Sequence, residues 1–186
     1  MYKVDKDAWS SGQIGSKQWL CEKLEPIIAT ECNYSPKIAL LGGWYGMTAF
    51  LLLSRNNIDI KYIRSFDLDP TCEAIADMMN ENWVFDSWKF KAMTGDINSI
   101  DFSEFDIIIN TSTEHIDGRD WFDKLHNDQI IAIQSNNMPH DDHIFVMETL
   151  KDFQNEFPLN NLYSGELKFK YPTWKFSRWM NIGKKF

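Results

Sequence analysis

Short apolar runs alternate with longer helical patterns along most of the chain. Five runs bounded by proline, glycine or polar residues are typical of strands buried on both faces of a sheet, at residues 37–41, 61–66, 89–93, 105–109 and 129–134. Segments with helical spacing or length predict helices at residues 18–29, 47–54, 70–80, around 121–125, and at 142–153. Residues 1–14 show neither pattern, and we expect them to be irregular.

The last part of the chain has a different pattern. Lys168 and Lys170 alternate with apolar neighbours, and a Pro-Thr pair separates residues 166–171 from residues 175–182. This alternation predicts a hairpin near the edge of a sheet, with one face more exposed to water.

The order of strands and helices implies a parallel sheet with helices on both faces. We therefore predict an α/β fold: a three-layer αβα sandwich around a mostly parallel, seven-stranded sheet that ends in an antiparallel strand pair. A length of 186 residues suits one domain, so residues 1–186 are expected to form a single unit. Ligands of such sheets bind beyond the carboxyl ends of the strands, where candidate residues should be found.

Charge and cysteine content narrow the choice of partners and compartment. The formal net charge of −8 argues against duplex nucleic acid, whose binding requires a basic face. The three cysteines, Cys21, Cys32 and Cys72, have neither disulfide-framework nor zinc-site spacing, which indicates a reducing compartment. We find no signal peptide and no apolar run long enough to span a membrane, so a cytoplasmic location is expected.

A glycine-rich turn follows the first predicted strand, with the sequence Gly42-Gly43-Trp44-Tyr45-Gly46. Glycines allow the backbone to turn tightly and to approach a ligand closely, and the following helix N-terminus offers unpaired N–H groups. The alternative is an ordinary strand-to-helix turn. The turn lacks the G-x-G-x-x-G fingerprint of dinucleotide-binding enzymes.

Acidic residues follow the second and third predicted strands. Asp67 lies 24 positions after Gly43, a spacing at which a carboxylate can accept hydrogen bonds from ribose hydroxyls. Its alternative role as a helix cap suits Asp69 better, because Asp69 precedes a proline. Asp96 can accept a hydrogen bond from the adenine amine while Ile97 packs on the ring; a surface turn is the alternative.

Two polar loops follow the fourth and fifth predicted strands. In the first, His115 can act as a general base and Glu114 as a base or a ligand for a substrate amine. A solvated loop or a helix cap would explain the same residues without function. In the second, the spacing of His140, Asp141 and His143 matches no standard metal motif, so we expect no metal site.

Together these strand ends resemble the class I S-adenosylmethionine-dependent methyltransferases over residues 15–183. The resemblance implies a Rossmann-like fold and S-adenosylmethionine as cofactor. It implies that Gly42, Gly43 and Gly46 cradle the methionine part. Trp44 and Tyr45 are not part of the family pattern, and we expect either that one of them packs against the cofactor or that Tyr45 donates a hydrogen bond to its carboxylate. The resemblance also implies cofactor contacts from the following residues at later strand ends: Asp67 and Leu68 at the ribose, Asp96 and Ile97 at the adenine, and Asn110 and Thr111 beside the sulfonium.

The polar side chains at these strand ends are the candidates for facing the substrate: we expect Glu114 and His115 first, then Asn110 and His140. By analogy, the segment carrying Trp9, Gln13 and Lys17 forms a lid over the cofactor. The sequence departs from the family in the two bulky aromatics of the glycine turn. It also lacks the Asn/Asp-Pro-Pro-aromatic signature of amino-methylating nucleic-acid enzymes.

The implied activity is in-line methyl transfer to a small molecule or a protein side chain. Three alternatives stay open: transfer of an aminopropyl-type group or cleavage of the same cofactor, a catalytically inactive cofactor-binding protein, and a nucleotide-sugar or dinucleotide enzyme on a similar sheet. The oligomeric state is open.

Overall fold

A seven-stranded sheet organises the computed structural model, which describes residues 4–186. The strand order is β3-β2-β1-β4-β5-β7-β6, with the first five strands parallel and β7 antiparallel to both of its neighbours. The strands are β1 (Lys37–Leu41), β2 (Tyr62–Asp67), β3 (Phe90–Thr94), β4 (Ile107–Asn110), β5 (Ile130–Asn136), β6 (Asn160–Lys170) and β7 (Lys175–Lys184). The predicted sheet and its C-terminal antiparallel pair are confirmed.

Helices cover both faces of the sheet, which explains why the central strands are apolar throughout. Every residue of β4 and β5 is buried. The helices are α1 (Ser11–Glu31), α2 (Met47–Leu53), α3 (Pro70–Met79), α4 (Glu81–Phe85), α5 (Asp120–Asp123) and α6 (Leu150–Glu156). In the part of the chain described, no helix is long and apolar enough to cross a bilayer.

The N-terminal segment is more ordered than predicted. The expectation of irregular structure over residues 1–14 is wrong from Lys6 onwards; residues 1–3 lie outside the described part. A 3-10 helix covers Lys6–Trp9, and α1 begins at Ser11 because the Ser10 hydroxyl accepts a hydrogen bond from the backbone N–H of Gln13 at 3.3 Å. The first turns of α1 are polar, so apolar periodicity predicted only its later part.

The helix predicted at residues 142–153 is also wrong over its first half. The chain is irregular through this stretch, and α6 begins only at Leu150, where the Thr149 hydroxyl accepts from the N–H of Asp152 at 3.1 Å. The N–H groups of Ile144 and Phe145 instead donate to the carbonyl of Glu114, at 2.9 and 3.1 Å. Tertiary hydrogen bonds therefore replace the helical ones. The short helix α4 was not predicted.

The strand order reverses at β1: β2 and β3 lie on one side of it, and β4 and β5 lie on the other. At such a switch point the connections leave in opposite directions and open a crevice beyond the carboxyl ends of the strands. The antiparallel strand β7 contributes a residue to the same edge: Arg178 pairs in register with Asn136, the last residue of β5.

Candidate functional site

A cavity of about 570 Å³ lies at this carboxyl edge of the sheet. Its wall includes Gly42 and Trp44 after β1, Asp67 after β2, Asp96 after β3 and Glu114 after β4. The positions that the sequence singled out at four separate strand ends therefore meet around one space. A second cleft of about 610 Å³ lies at the opposite edge, among residues such as Lys37 and Lys89, and contains none of them.

The glycine turn is shaped by close approach of the backbone to β2 and by left-handed conformations. A Cβ atom on Gly43 would lie 1.9 Å from the Ser65 hydroxyl oxygen, so only glycine fits there. Gly42 and Gly46 have φ angles of +60° and +75°, which favour glycine. Trp44 adopts a φ of 47°, a conformation that is uncommon for a bulky residue and signals local strain.

Asp67 braces this turn while remaining on the cavity wall. One of its carboxylate oxygens accepts from the N–H of Trp44 at 2.8 Å, and the other accepts from the N–H of Asp69 at 3.0 Å. Each oxygen retains capacity for a further hydrogen bond, so the group can also bind a ligand. Asp69 caps α3 by accepting from the N–H of Thr71 at 2.9 Å, as the sequence predicted.

Asp96, which follows β3, likewise holds a backbone N–H group while lying on the cavity wall. Its carboxylate accepts from the N–H of Asn98 at 2.8 Å and caps the 3-10 helix Ile97–Ser99. Ile97 is buried beside it, and both residues line the cavity. An acid next to an apolar surface suits a flat, hydrogen-bonding ring.

Tyr45 lies under the N-terminal segment and outside the cavity lining. Its ring stacks on Trp9 at 5.7 Å between centroids, and its hydroxyl oxygen accepts from the N–H of Asp5 at 3.1 Å. Asp5 and Asp7 reach the cavity from this segment. The atypical aromatic pair of the glycine turn therefore anchors the N-terminus beside the site, and only Trp44 contributes to the wall.

Glu114 is a buried carboxylate with an asymmetric environment. It is only 2% exposed and lies in a 3-10 turn that the Thr113 hydroxyl fixes by donating to the carbonyl of Gln134 at 2.9 Å. Its Oε1 accepts from the Asn136 amide and lies 3.8 Å from the Arg178 guanidinium. Its Oε2, also buried, has no hydrogen-bond partner in the part of the chain that the structure describes.

Three histidines cluster beside Glu114. The rings of His115 and His143 meet edge to face at 4.8 Å between centroids, and His140 lies 5.4 Å from His143. Burial is the main cause that lowers the pKa of His143, and the nearby His115 and His140 add to the effect. The ring of His143 is therefore neutral over a wider pH range than an exposed histidine.

Lys17 and Arg178 supply positive charge at the base of the cavity. Burial, followed by the charge of Arg178, lowers the pKa of Lys17 to about 7, and its ammonium donates to Gln13 Oε1 at 2.6 Å. The sequence suggested Gln13 and Lys17 only as parts of a lid, and it did not suggest Arg178 at all. The sequence signal that could have identified Arg178 is its position as a charged residue beside the apolar stretch of β7.

The predicted site residues divide into two groups. Those on the cavity wall are Gly42, Trp44, Asp67, Leu68, Asp96, Ile97, Thr111, Glu114, His115 and His140. Those outside the lining are Gly43, Tyr45, Gly46 and Asn110. Asn110 is fully buried, and its side-chain oxygen accepts from the N–H of Ser112 at 3.0 Å, so it shapes the loop from behind.

The cavity is strongly acidic. Seven carboxylates line it: Asp5, Asp7, Asp67, Asp96, Glu114, Asp117 and Asp142. Among residues 4–186, only two lysine or arginine side chains do, Lys17 and Arg178. The cavity therefore favours a ligand with positive charge.

No model of a known protein family matches the chain, and no curated protein does either. Solved structures do match. A geranyl diphosphate methyltransferase in complex with S-adenosylmethionine is 9% identical, with a TM-score of 0.67 over 97% of this chain and 93% of its own. A magnesium protoporphyrin IX methyltransferase from Synechocystis PCC 6803, with the same molecule bound, is 9% identical, with a TM-score of 0.66 over 99% and 87%.

A third match, described as a putative RNA methyltransferase from Pyrococcus horikoshii, is 17% identical, with a TM-score of 0.61 over 96% of this chain and 86% of its own. These proteins differ in the substrates their names give but share one architecture, which covers nearly the whole of this chain. The chain has the fold of the class I S-adenosylmethionine-dependent methyltransferases.

Proposed function

We propose that this protein binds S-adenosylmethionine in the acidic cavity and transfers its methyl group to a small molecule or a protein side chain. The observation that carries the proposal is the convergence of the glycine turn, Asp67, Asp96 and Glu114 on one cavity at the switch point of the sheet. A cytoplasmic location belongs to the same proposal, and the free thiols of the three cysteines are consistent with it.

The residues present fit the cofactor. Gly42 lies on the cavity wall with a φ of +60°, a conformation that favours glycine, so the backbone of the turn can approach the methionine part. Asp67 has spare acceptor capacity for ribose hydroxyls, and Asp96 with Ile97 suits the adenine. The excess of carboxylates favours a sulfonium ion with an ammonium group over a neutral analogue.

The cofactor supplies an electrophilic methyl group, and the chain supplies position and a proton acceptor. His115 and Glu114 line the cavity and can accept a proton from an acceptor hydroxyl or amine. Asp5 and Asp7, held beside the cavity by the anchoring of Tyr45, act as part of a lid that limits access of water. Thr111 lines the cavity, whereas Asn110 acts by holding the loop that carries Glu114.

The acidic charge of the whole chain favours a small molecule or a protein side chain over duplex nucleic acid as methyl acceptor. The negative lining of the cavity extends this preference to neutral or cationic acceptors, because an anionic acceptor would meet repulsion from seven carboxylates.

Calorimetric titration of the protein with S-adenosylmethionine and S-adenosylhomocysteine tests cofactor binding. We expect Asp67→Asn to weaken binding by roughly 10-fold or more, since a hydrogen bond to a charged group contributes about 1.5–3 kcal/mol. Asp128→Asn, at an exposed position away from the cavity, is the matched control and should bind as the parent does. Absence of binding to both ligands would refute the proposal.

The alternative reactions of the cofactor are separated by their products. Methyl transfer leaves S-adenosylhomocysteine, whereas transfer of an aminopropyl-type group or cleavage leaves methylthioadenosine. Mass spectrometry of the nucleoside product, after incubation with candidate acceptors, distinguishes the two. Tight binding without any turnover would favour the inactive cofactor-binding protein.

A further inference from the structure

Three metal-ligating side chains meet on the wall of the cavity. Glu114 and His115 come from the 3-10 turn after β4, and His143 comes from the loop after β5. One ligand atom from each residue lies within 4.8 Å of the others. Ligands of one ion at the usual ~2.1 Å lie about 3–4 Å apart, so small side-chain rotations bring all three to a common ion.

The unpartnered oxygen of Glu114 is the first sign of a ligand here. Asn136 and Arg178 satisfy Oε1, while the buried Oε2 has no partner among the described residues. A buried, charged oxygen without a partner carries a large desolvation cost and calls for a missing ligand. A cation bound to Oε2 removes that cost.

The two histidines are held with the correct nitrogen available. The Nδ1 atom of His115 lies 3.1 Å from the carbonyl oxygen of Asp142, and the Nδ1 atom of His143 lies 2.7 Å from that of Met138. A carbonyl oxygen only accepts, so in both rings Nδ1 carries the hydrogen and Nε2 keeps its lone pair. Metal-binding histidines are commonly oriented by this type of contact.

The backbone holds the two loops together without a ligand. The N–H groups of Ile144 and Phe145 donate to the carbonyl of Glu114, at 2.9 and 3.1 Å. They fix the residues next to His143 against the turn that carries Glu114 and His115. The three ligands are therefore largely preorganised, and this contact is also what prevents a helix from forming at residue 142.

We propose that Glu114, His115 and His143 bind a first-row divalent transition-metal ion, such as Zn²⁺ or Mn²⁺, inside the cavity. Two imidazoles and one carboxylate favour such ions over Ca²⁺ or Mg²⁺, which prefer oxygen ligands. Three protein ligands leave coordination positions open towards the cavity, where an oxygen or nitrogen atom of a substrate can bind. The proposal concerns metal binding and does not depend on methyl transfer. With an ion bound, Glu114 and His115 act as its ligands, and the proton-acceptor role given to them above applies to the metal-free chain.

The test uses the full chain, without an affinity tag and stripped with a chelator, titrated calorimetrically with ZnCl₂ and separately with MnCl₂. We expect one ion per chain. His115→Ala and His143→Ala should each weaken binding by at least about 10- to 100-fold, because the loss of a group that only orients a metal ligand already has an effect of that size. His126→Ala is the matched control, because His126 is exposed and lies outside the cavity lining.

A second readout is the visible absorption spectrum of the Co²⁺-loaded protein, which reports the ligands of the ion directly. The spectrum should change in both cavity variants and stay unchanged in His126→Ala. His115 is exposed, so its replacement is expected to leave the fold intact, which thermal unfolding can verify. Absence of stoichiometric binding, or equal affinity in the parent and both cavity variants, would overturn the proposal. S-adenosylmethionine titrations of the same samples test the cofactor proposal separately.

Discussion

Among the glycines, Gly43 has the least space for a side chain. The Cβ of Gly43→Ala would lie 1.9 Å from Ser65 Oγ and 3.3 Å from side-chain atoms of Leu40, so the buried Ser65 hydroxyl would have to change rotamer or the turn would have to move away from β2. We expect the variant to lose about 1–3 kcal/mol of unfolding free energy through overpacking. It should also bind S-adenosylmethionine more weakly. Urea denaturation and calorimetry measure the two effects.

Gly15→Ala is the control for this change. Gly15 lies within α1, and a Cβ there would meet nothing within 4 Å. Alanine is favoured over glycine in a helix, so this variant should be more stable by up to about 1 kcal/mol. Adding Ser65→Ala to Gly43→Ala removes the atom that clashes most and should restore part of the loss. A Gly43→Ala protein as stable as the parent would contradict the steric argument.

Lys17 should make stability depend on pH. Its pKa falls from 10.5 when exposed to about 7 in the folded protein, chiefly because burial disfavours the ammonium. Folding therefore releases a proton between these two values, and stability from this group rises with pH across that window. Below pH 7 the folded protein carries the full cost of a buried charge.

We expect Lys17→Met to stabilise the protein by on the order of 1–3 kcal/mol near pH 6. The gain should shrink as the pH rises from about 7 to 10.5, and above that range lysine is neutral in both the folded and the unfolded state. Urea unfolding of both proteins at several pH values measures this trend. A gain that stays constant with pH would show that packing, rather than charge, separates the two proteins.

Individual residues differ in how far the sequence could reveal them. Asp67, Asp96 and Glu114 were identifiable because each lies at the carboxyl end of a strand or within four residues of it, where a parallel sheet binds its ligands. Lys17 and Arg178 come from a helix and from an antiparallel strand, so no strand-end rule applies to them. Their contribution depends on burial, which only the packed structure reveals.

At the scale of elements, apolar periodicity predicted strands more accurately than helices. Runs such as Lys37–Leu41 are buried on both faces and leave an unambiguous signal. The stretch before Leu150 has apolar residues at helical spacing, yet its N–H groups bond to Glu114 and the helix is absent. A local sequence pattern does not reveal that the Glu114 carbonyl, 30 residues before Ile144, competes for these N–H groups.

The same limit applies to metal binding. From sequence spacing, no metal site was expected, because His140, Asp141 and His143 match no linear motif. In the structure, His143 lies against Glu114 and His115, which are contributed by a different loop. A ligand set divided between two loops is visible only once the strand order brings those loops together.

At the scale of the whole molecule, the mostly parallel sheet and its terminal antiparallel pair were predictable because each step along the chain is local, whereas the order of the strands in the sheet comes from the structure. Alternating strands and helices with right-handed connections leave few arrangements of a parallel sheet, and the terminal hairpin can only join its edge. The charge distribution follows in part from composition: a chain with a net charge of −8 also has a cavity in which carboxylates outnumber lysine and arginine side chains.

This charge distribution predicts different salt dependence for cofactor and product. S-adenosylmethionine carries one positive charge more than S-adenosylhomocysteine, because demethylation removes the sulfonium. Salt screens the attraction of the cavity carboxylates, partly exposed Asp67 and exposed Asp96 among them, so raising ionic strength from about 0.05 M to about 0.5 M should weaken cofactor binding by several-fold.

Binding of the neutral product should change much less. The affinity for S-adenosylmethionine divided by that for S-adenosylhomocysteine therefore measures the electrostatic contribution of the sulfonium to binding. Calorimetric titrations at three salt concentrations determine that ratio. Lys17→Met should raise the affinity for S-adenosylmethionine relative to S-adenosylhomocysteine, because it removes a cation from the same cavity. Equal salt dependence for both ligands would mean that the sulfonium lies away from the carboxylates, and that cavity shape rather than charge selects the cofactor.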